Sequence, residues 1–260
     1  MRTLRFVLSL VRTVLRASLA LRGAFLLQAA FMMLNNWMFF TTWWLLFQRF
    51  DEIRGYRMPD MLLLFGVSSV GYGLAMVVGG GALDLARNIG DGALDPLLAQ
   101  PRSVLVRAVA SRSVASGWGD VASGILMLAL SGYVTLPRLP LVSLAALLVA
   151  TVFLSFAVVL NSAAFWLGQV ESFSTFVFHY VVVFSTYPPT LFGPATKVLL
   201  FTLLPAGLAV YLPVELVRAP SAESLVLAVG GAVAALLVAQ AVFARGLRRY
   251  ASGSRFVALG

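Results

Sequence analysis

Long apolar stretches separated by short polar ones run along most of the chain, and the pattern predicts helices that cross a bilayer. The first covers about Gly23 to Phe47, the second about Met61 to Leu83 and the third about Val104 to Tyr133. A fourth ends near Leu167, a fifth begins near Phe173, and a last one runs from about Ser224 to Ala244. A helix needs about 20 predominantly apolar residues to cross the hydrocarbon core. Ahead of the spans, Arg2, Arg5, Ser9, Arg12 and Arg16 fall in one stripe at helical spacing, with Leu4, Val7, Leu8, Val11, Val14 and Leu15 opposite. That pattern predicts an amphipathic helix over 1–22 lying in the membrane interface, arginines toward headgroups and leucines toward acyl chains. The same arginines interrupt the continuous apolar core that a signal peptide requires.

Within the spans, residue type predicts surroundings. Trp43 and Trp44, beside the charged loop 49–57, suit a headgroup layer. Gly66, Gly71, Gly73 and Gly79 to Gly81 make the second span a helix packed inside the bundle, because small residues let neighbours approach closely. From Phe173 to Leu216 the chain is almost continuously apolar but is broken by Pro188, Pro189, Pro194, Pro205 and Pro213. This region could hold two full spans, or one span and a re-entrant element over 188–213.

Charge bears on that choice. With six spans and both termini inside, the inner segments hold Arg2, Arg5, Arg12, Arg16, Arg22, Arg87, Arg102, Arg107, Arg112, Arg245, Arg248, Arg249 and Arg255. The outer segments hold Arg49, Arg54, Arg57, Arg138, Lys197 and Arg218. Seven spans would move the last four arginines outside, against the positive-inside bias. The expected fold is therefore all-α and polytopic: one transmembrane domain over 1–260, with six spans, an N-terminal interfacial helix and a re-entrant outer element.

Composition excludes whole classes of function. Of 260 residues, 60% are hydrophobic and 11% charged, and the mean hydropathy is +0.94. Soluble domains carry roughly 25% charged residues. Six spans leave no room for a sizeable soluble domain, so catalysis in water would fall to a partner chain. The net charge of +9 comes from arginines that flank apolar stretches, which assigns it to topology and anionic lipid rather than to nucleic acid. The chain has no cysteine, hence no disulfide or thiolate nucleophile, and one His supplies no metal cluster.

The richest polar segment is the inner loop 84–102. Gly90 and Gly92 predict the end of one helix, and Asp95 followed by Pro96 predicts the cap and first position of another, which Pro101 soon limits. Leu94, Leu97 and Leu98 would give this short helix an apolar side able to fit a groove on another protein. A structured turn between two spans is the plainer reading of the same residues.

Taken together, the pattern Ile89-x-x-Gly92-x-Leu94-Asp95-x-x-Leu98-x-x-Pro101, the Tyr187-Pro188 pair, Pro205-Ala206 with Tyr211-Leu212-Pro213, and the ending Leu247-Arg248-Arg249-Tyr250-x-Ser252-Gly253 resemble the ABC-2 type permeases. Among them the chain is most similar to a six-span branch once called a domain of unknown function. The resemblance implies a permease of the bacterial inner (plasma) membrane with both termini cytoplasmic. It would form half of an export pathway for a hydrophobic or amphipathic compound or drug, beside a second permease, the same or different. Two copies of a separate ABC ATPase would supply the energy. It also implies that Ile89, Gly92, Leu94, Asp95, Leu98 and Pro101 form the coupling helix that docks on the ATPase, and that Tyr187, Pro188, Pro205 and Pro213 belong to the re-entrant element. No cofactor is expected in this chain. Its only lysine, Lys197, lacks the Gly-Lys-Ser/Thr pattern of a phosphate-binding loop, which leaves ATP and Mg²⁺ to the partner.

Polar groups inside spans are candidates for the pathway: Asn35 and Asn36 in the first, Asn161 in the fourth and His179 in the fifth. His179 could relay a proton, touch a substrate or simply bond a neighbouring helix. Asp120 is expected to pair with Arg112 or a partner subunit, with a pathway role as the alternative, and Glu171 and Gln169 to mark the inner boundary or touch the ATPase. The aromatic first span suits a hydrophobic or cationic ligand, or a surface packed against lipid or a partner. The alternatives are an ion-coupled secondary transporter, which usually shows internal repeats and midplane charges, and a membrane-embedded lipid-modifying enzyme, which needs a nucleophile and base.

Overall fold

A computed structural model describes residues 22–101 and 103–250. The expected interfacial helix, except for Arg22, lies outside the described residues, as do Arg102, Ser252, Gly253 and Arg255. The described chain is all-helical, without strands apart from an isolated bridge between Ile53 and Tyr56. Its α-helices are α1 (Arg22–Phe47), α2 (Met58–Gly79), α3 (Leu85–Gly90), α4 (Asp95–Leu98), α5 (Val104–Val109) and α6 (Ser116–Leu130). They continue as α7 (Leu139–Ser162), α8 (Ala164–Leu167), α9 (Glu171–Phe184), α10 (Pro194–Phe201), α11 (Leu212–Arg218) and α12 (Ala222–Leu247).

Four helical stretches are long and apolar enough to cross a membrane: Arg22–Phe47, Met58–Gly90, Leu136–Leu167 and Ala222–Leu247. Two further apolar helices, α6 and α9, have 15 and 14 residues. At about 1.5 Å rise per residue each covers little more than 20 Å, less than the ~30 Å hydrocarbon core. The third expected span is not continuous. Ser111-Arg112-Ser113 interrupts it, and α5 ends at Val109 before α6 begins at Ser116. Arg112 Nη1 donates to both Asp84 carboxylate oxygens at 2.6 Å, so the expected Arg112–Asp120 pair does not form. A cation at that point in a continuous apolar helix would lack such a partner, and the break lets it reach one.

Between α9 and α12 the chain is divided into short pieces: a 3₁₀ turn at Pro189–Leu191, then α10, then a π turn at Gly207–Tyr211 that runs into α11. Pro213 has no N–H for the carbonyl four residues earlier, and the adjoining π turn accommodates its ring. Tyr211 Oη donates to the Phe184 carbonyl at 2.7 Å and ties this region to the end of α9. In α11, Pro213, Val214, Leu216 and Val217 are buried, and the helix packs against α7 and α12.

The core centres on α2 and α7. As the glycines predict, α2 is buried over most of its length, whereas α1 turns only Phe40 and Trp43 inward. A methyl group on Gly73 would stand 2.5 Å from the Gly117 carbonyl oxygen of α6, and one on Gly119 would stand 2.1 Å from that of Ala29 in α1. These contacts bring backbones together without an intervening side chain. At the start of α12, Ser221 Oγ accepts from the Ser224 N–H at 3.0 Å and Ser224 Oγ from the Ser221 N–H at 3.1 Å, a reciprocal cap.

The bundle is tied at the end holding loop 48–57. Asp60 is buried and accepts from Tyr133 Oη at 2.6 Å, Arg218 Nε at 2.9 Å and the Arg57 N–H at 2.9 Å. The Arg218 guanidinium also lies 4.5 Å from the centre of the Tyr56 ring and donates to the Gly55 carbonyl. Burial pushes the Tyr56 phenol up to about 12 despite Arg218, which favours the anion.

Candidate functional site

Two places bring the candidate residues together: the loop at the opposite end of α2, and a cavity beside α1. In the loop, Ile89 is buried at the end of α3, and Gly92 turns the chain with φ +74°, a conformation that favours glycine. The Ala93 N–H donates to the Asn88 carbonyl at 2.9 Å and the Asp95 N–H to that of Gly92 at 3.1 Å, setting up the one-turn helix α4.

The expected apolar side of this helix divides. Leu94 is fully buried, and Leu97 is half-buried against the core. Leu98 is 46% exposed and, with Pro96 and Pro101, forms the outer surface. Asp95 is not the cap expected for α4. It is already inside the first turn, and its Oδ1 accepts from Tyr250 Oη at 2.8 Å. Tyr250 follows α12, and its ring lies edge-on to Phe165 at 6.1 Å between centres. Burial, then the Asp95 hydrogen bond, pushes the Tyr250 phenol up to about 12, since a phenolate beside a carboxylate is disfavoured.

Arg107 fastens the other side of α4. It is buried and donates to the Leu97 carbonyl and to Gln100 Oε1. Leu94 from within, Tyr250 at the start and Arg107 at the end thus hold four residues against the bundle. At the same end Arg87 pairs with Glu171 at 2.7 Å and with Asp84 at 3.5 Å. Sequence reasoning missed the clamps: Tyr250 belongs to the quoted terminal pattern and Arg107 to the inner arginines, but nothing in their spacing names Asp95 or Leu97 as partners.

The cavity, about 280 Å³, lies among α1, α2, α6 and α9. Asn35, Asn36, His179 and Tyr187 all line it, and so does Asp120. Asn36 Nδ2 donates to Asp120 Oδ1 and to Ser123 Oγ, both at 2.8 Å, locking α1 to α6. His179 is exposed and touches the Tyr180 ring edge-on, with no hydrogen bond to a neighbouring helix among the described residues. Asn161 stands apart: it is buried in α7, and its Nδ2 donates to the Ala157 carbonyl at 2.9 Å. Of the four residues in the proline-broken region, Tyr187 packs on Trp43 at 5.7 Å, Pro188 and Pro213 are buried, and Pro205 is half-buried at the start of the segment leading into the π turn.

Apolar helices of spanning length, packed through glycines around a polar-lined cavity, define a multi-pass membrane protein. A family model described as ABC-2 family transporter protein matches residues 32–254, and the chain belongs to that family, a membrane component of transport. No curated protein and no solved structure matches it.

Proposed function

We propose that this chain is the permease subunit of an ABC exporter in the bacterial inner membrane. It contributes six spans and half of a pathway, and hands ATP and Mg²⁺ to two copies of a separate ATPase. A second permease, the same or different, completes the pathway for a hydrophobic or amphipathic compound. The short α6 and α9 serve as the third and fifth spans, 188–213 is the re-entrant element, and both termini are cytoplasmic.

The observation that carries the reading is the fastening of α4. An isolated four-residue helix is not stable in water, so a helix this short is kept only by its attachments. Those attachments leave Leu98, Pro96 and Pro101 outward, as a docking surface for an ATPase cleft requires. Movement of a docked ATPase would reach the bundle through Leu94, Arg107 and Tyr250. The nucleotide drives the switch between inward- and outward-facing forms only through its unequal affinity for them.

The test is co-purification of the full chain with its ATPase. Leu98→Arg should abolish the association while the protein remains inserted and folded. Retention of the ATPase by that variant, or failure of the native chain to bring down any ATPase, would overturn the assignment.

A further inference from the structure

The cavity contains an electrostatic imbalance. Asp120 is 2% exposed, in the second turn of an apolar helix. Asn36 satisfies one carboxylate oxygen, and the other has no hydrogen-bond partner. The described ion pairs leave Asp120 out: Arg112 and Arg87 are held by Asp84 and Glu171, and Arg218 by Asp60. A half-satisfied carboxylate in an apolar interior is costly unless a proton or a cation neutralises it.

The walls around it suit a cation with an apolar body. Phe39, Phe65, Tyr72, Phe178 and Tyr187 line the same cavity, and among the described residues its lining holds no arginine or lysine, His179 being its one basic side chain. Ring faces attract a desolvated cation and also bury hydrocarbon. An anion would meet Asp120, and among the described lining residues no permanent positive charge. A volume near 280 Å³ lies at the lower end of small-molecule sites, enough for one compact ligand or for the charged end of a larger one.

We infer that the cavity among α1, α2, α6 and α9 is a binding site for monovalent hydrophobic cations, with the Asp120 carboxylate as their counter-ion and Asn36 as the group that positions it. This rests on the transporter reading and names its substrate class: lipophilic amines and related organic cations. Anionic lipids and glycans are excluded. The selectivity arises because a neutral analogue leaves the buried carboxylate unmatched.

The test is equilibrium binding of benzyltrimethylammonium to the purified full chain in detergent without any ATPase, beside the net-neutral benzyldimethylamine N-oxide. The native chain should bind the cation at least tenfold more tightly than the oxide. Asp120→Asn should remove that preference while leaving oxide binding unchanged. Because the buried change could disturb folding, Thr175→Lys provides a second variant. Thr175 lines the cavity from an exposed position on α9, and an ammonium there should weaken cation binding at least tenfold with the core intact. Equal affinity for the two probes, or cation binding unaffected by both substitutions, would overturn the proposal and would mean that Asp120 holds only a proton. The two readings fail separately: a chain that retains its ATPase but shows no cation preference refutes the site alone. A chain with the cation preference and no ATPase refutes the exporter alone.

Discussion

Tyr250 and Asp95 are 155 positions apart in the chain, yet one hydrogen bond joins the end of the last span to the start of α4. The neutral phenol donates and the carboxylate accepts, so the pair depends on Tyr250 keeping its proton. Its folded pKa is raised to about 12 from an ordinary 10. The stabilisation is therefore fully present below pH 10 and fades as the pH rises through about 12, where two anions would face each other. Tyr250→Phe keeps the ring on Phe165 and removes only the bond. It should cost about 1 kcal/mol, since the site is partly open to solvent, and flatten the loss of thermal stability above pH 10. Unfolding curves of both proteins from pH 7 to 12 measure this; identical alkaline profiles would show that the bond contributes nothing.

At the scale of helices, close backbone approach sets the packing. A side chain at Gly73 would enter the space held by the Gly117 carbonyl and Val121, whereas a methyl at Gly90 meets no atom within 4 Å. Gly73→Leu is expected to cost about 2 kcal/mol or more by forcing α2 and α6 apart, and Gly90→Ala to be tolerated. Yield and melting temperature of the two variants in detergent provide the comparison. The inward position of α2 was legible because its glycines recur along one apolar stretch. The break in the third expected span was less so: Ser111-Arg112-Ser113 signals it, but averaged hydropathy hides three polar residues between long apolar runs. Similarly, Asp95-Pro96 announces a helix start correctly to within one residue, while the partner of the Asp95 side chain comes from a distant segment that no local pattern reveals.

For the whole molecule, orientation decides which end meets a motor. The arginine distribution predicts that Ala195 faces outward and Ser252 inward in the six-span arrangement. Single cysteines at these positions in the otherwise cysteine-free chain should react with an impermeant maleimide from opposite sides of intact and opened cells. Labelling of both from one side would overturn the six-span count. The candidate site was partly legible at this scale as well. Asn35, Asn36 and His179 stood out as polar groups in apolar spans and meet at one cavity, whereas Asn161, chosen on the same ground, does not.

The ion pairs of the bundle differ in their exposure to solvent. At loop 48–57, Asp60 is sheltered, with its Arg218 partner mostly covered. At the other end, the arginines of the Arg87–Glu171 and Arg112–Asp84 pairs have about half of their side-chain surface in contact with solvent. Mobile ions screen exposed pairs within about 8 Å at physiological ionic strength and reach sheltered ones far less. Added salt is therefore expected to weaken the Arg87 and Arg112 pairs, and the exposed Arg57–Glu52 pair of loop 48–57, more than the sheltered Asp60–Arg218 contact.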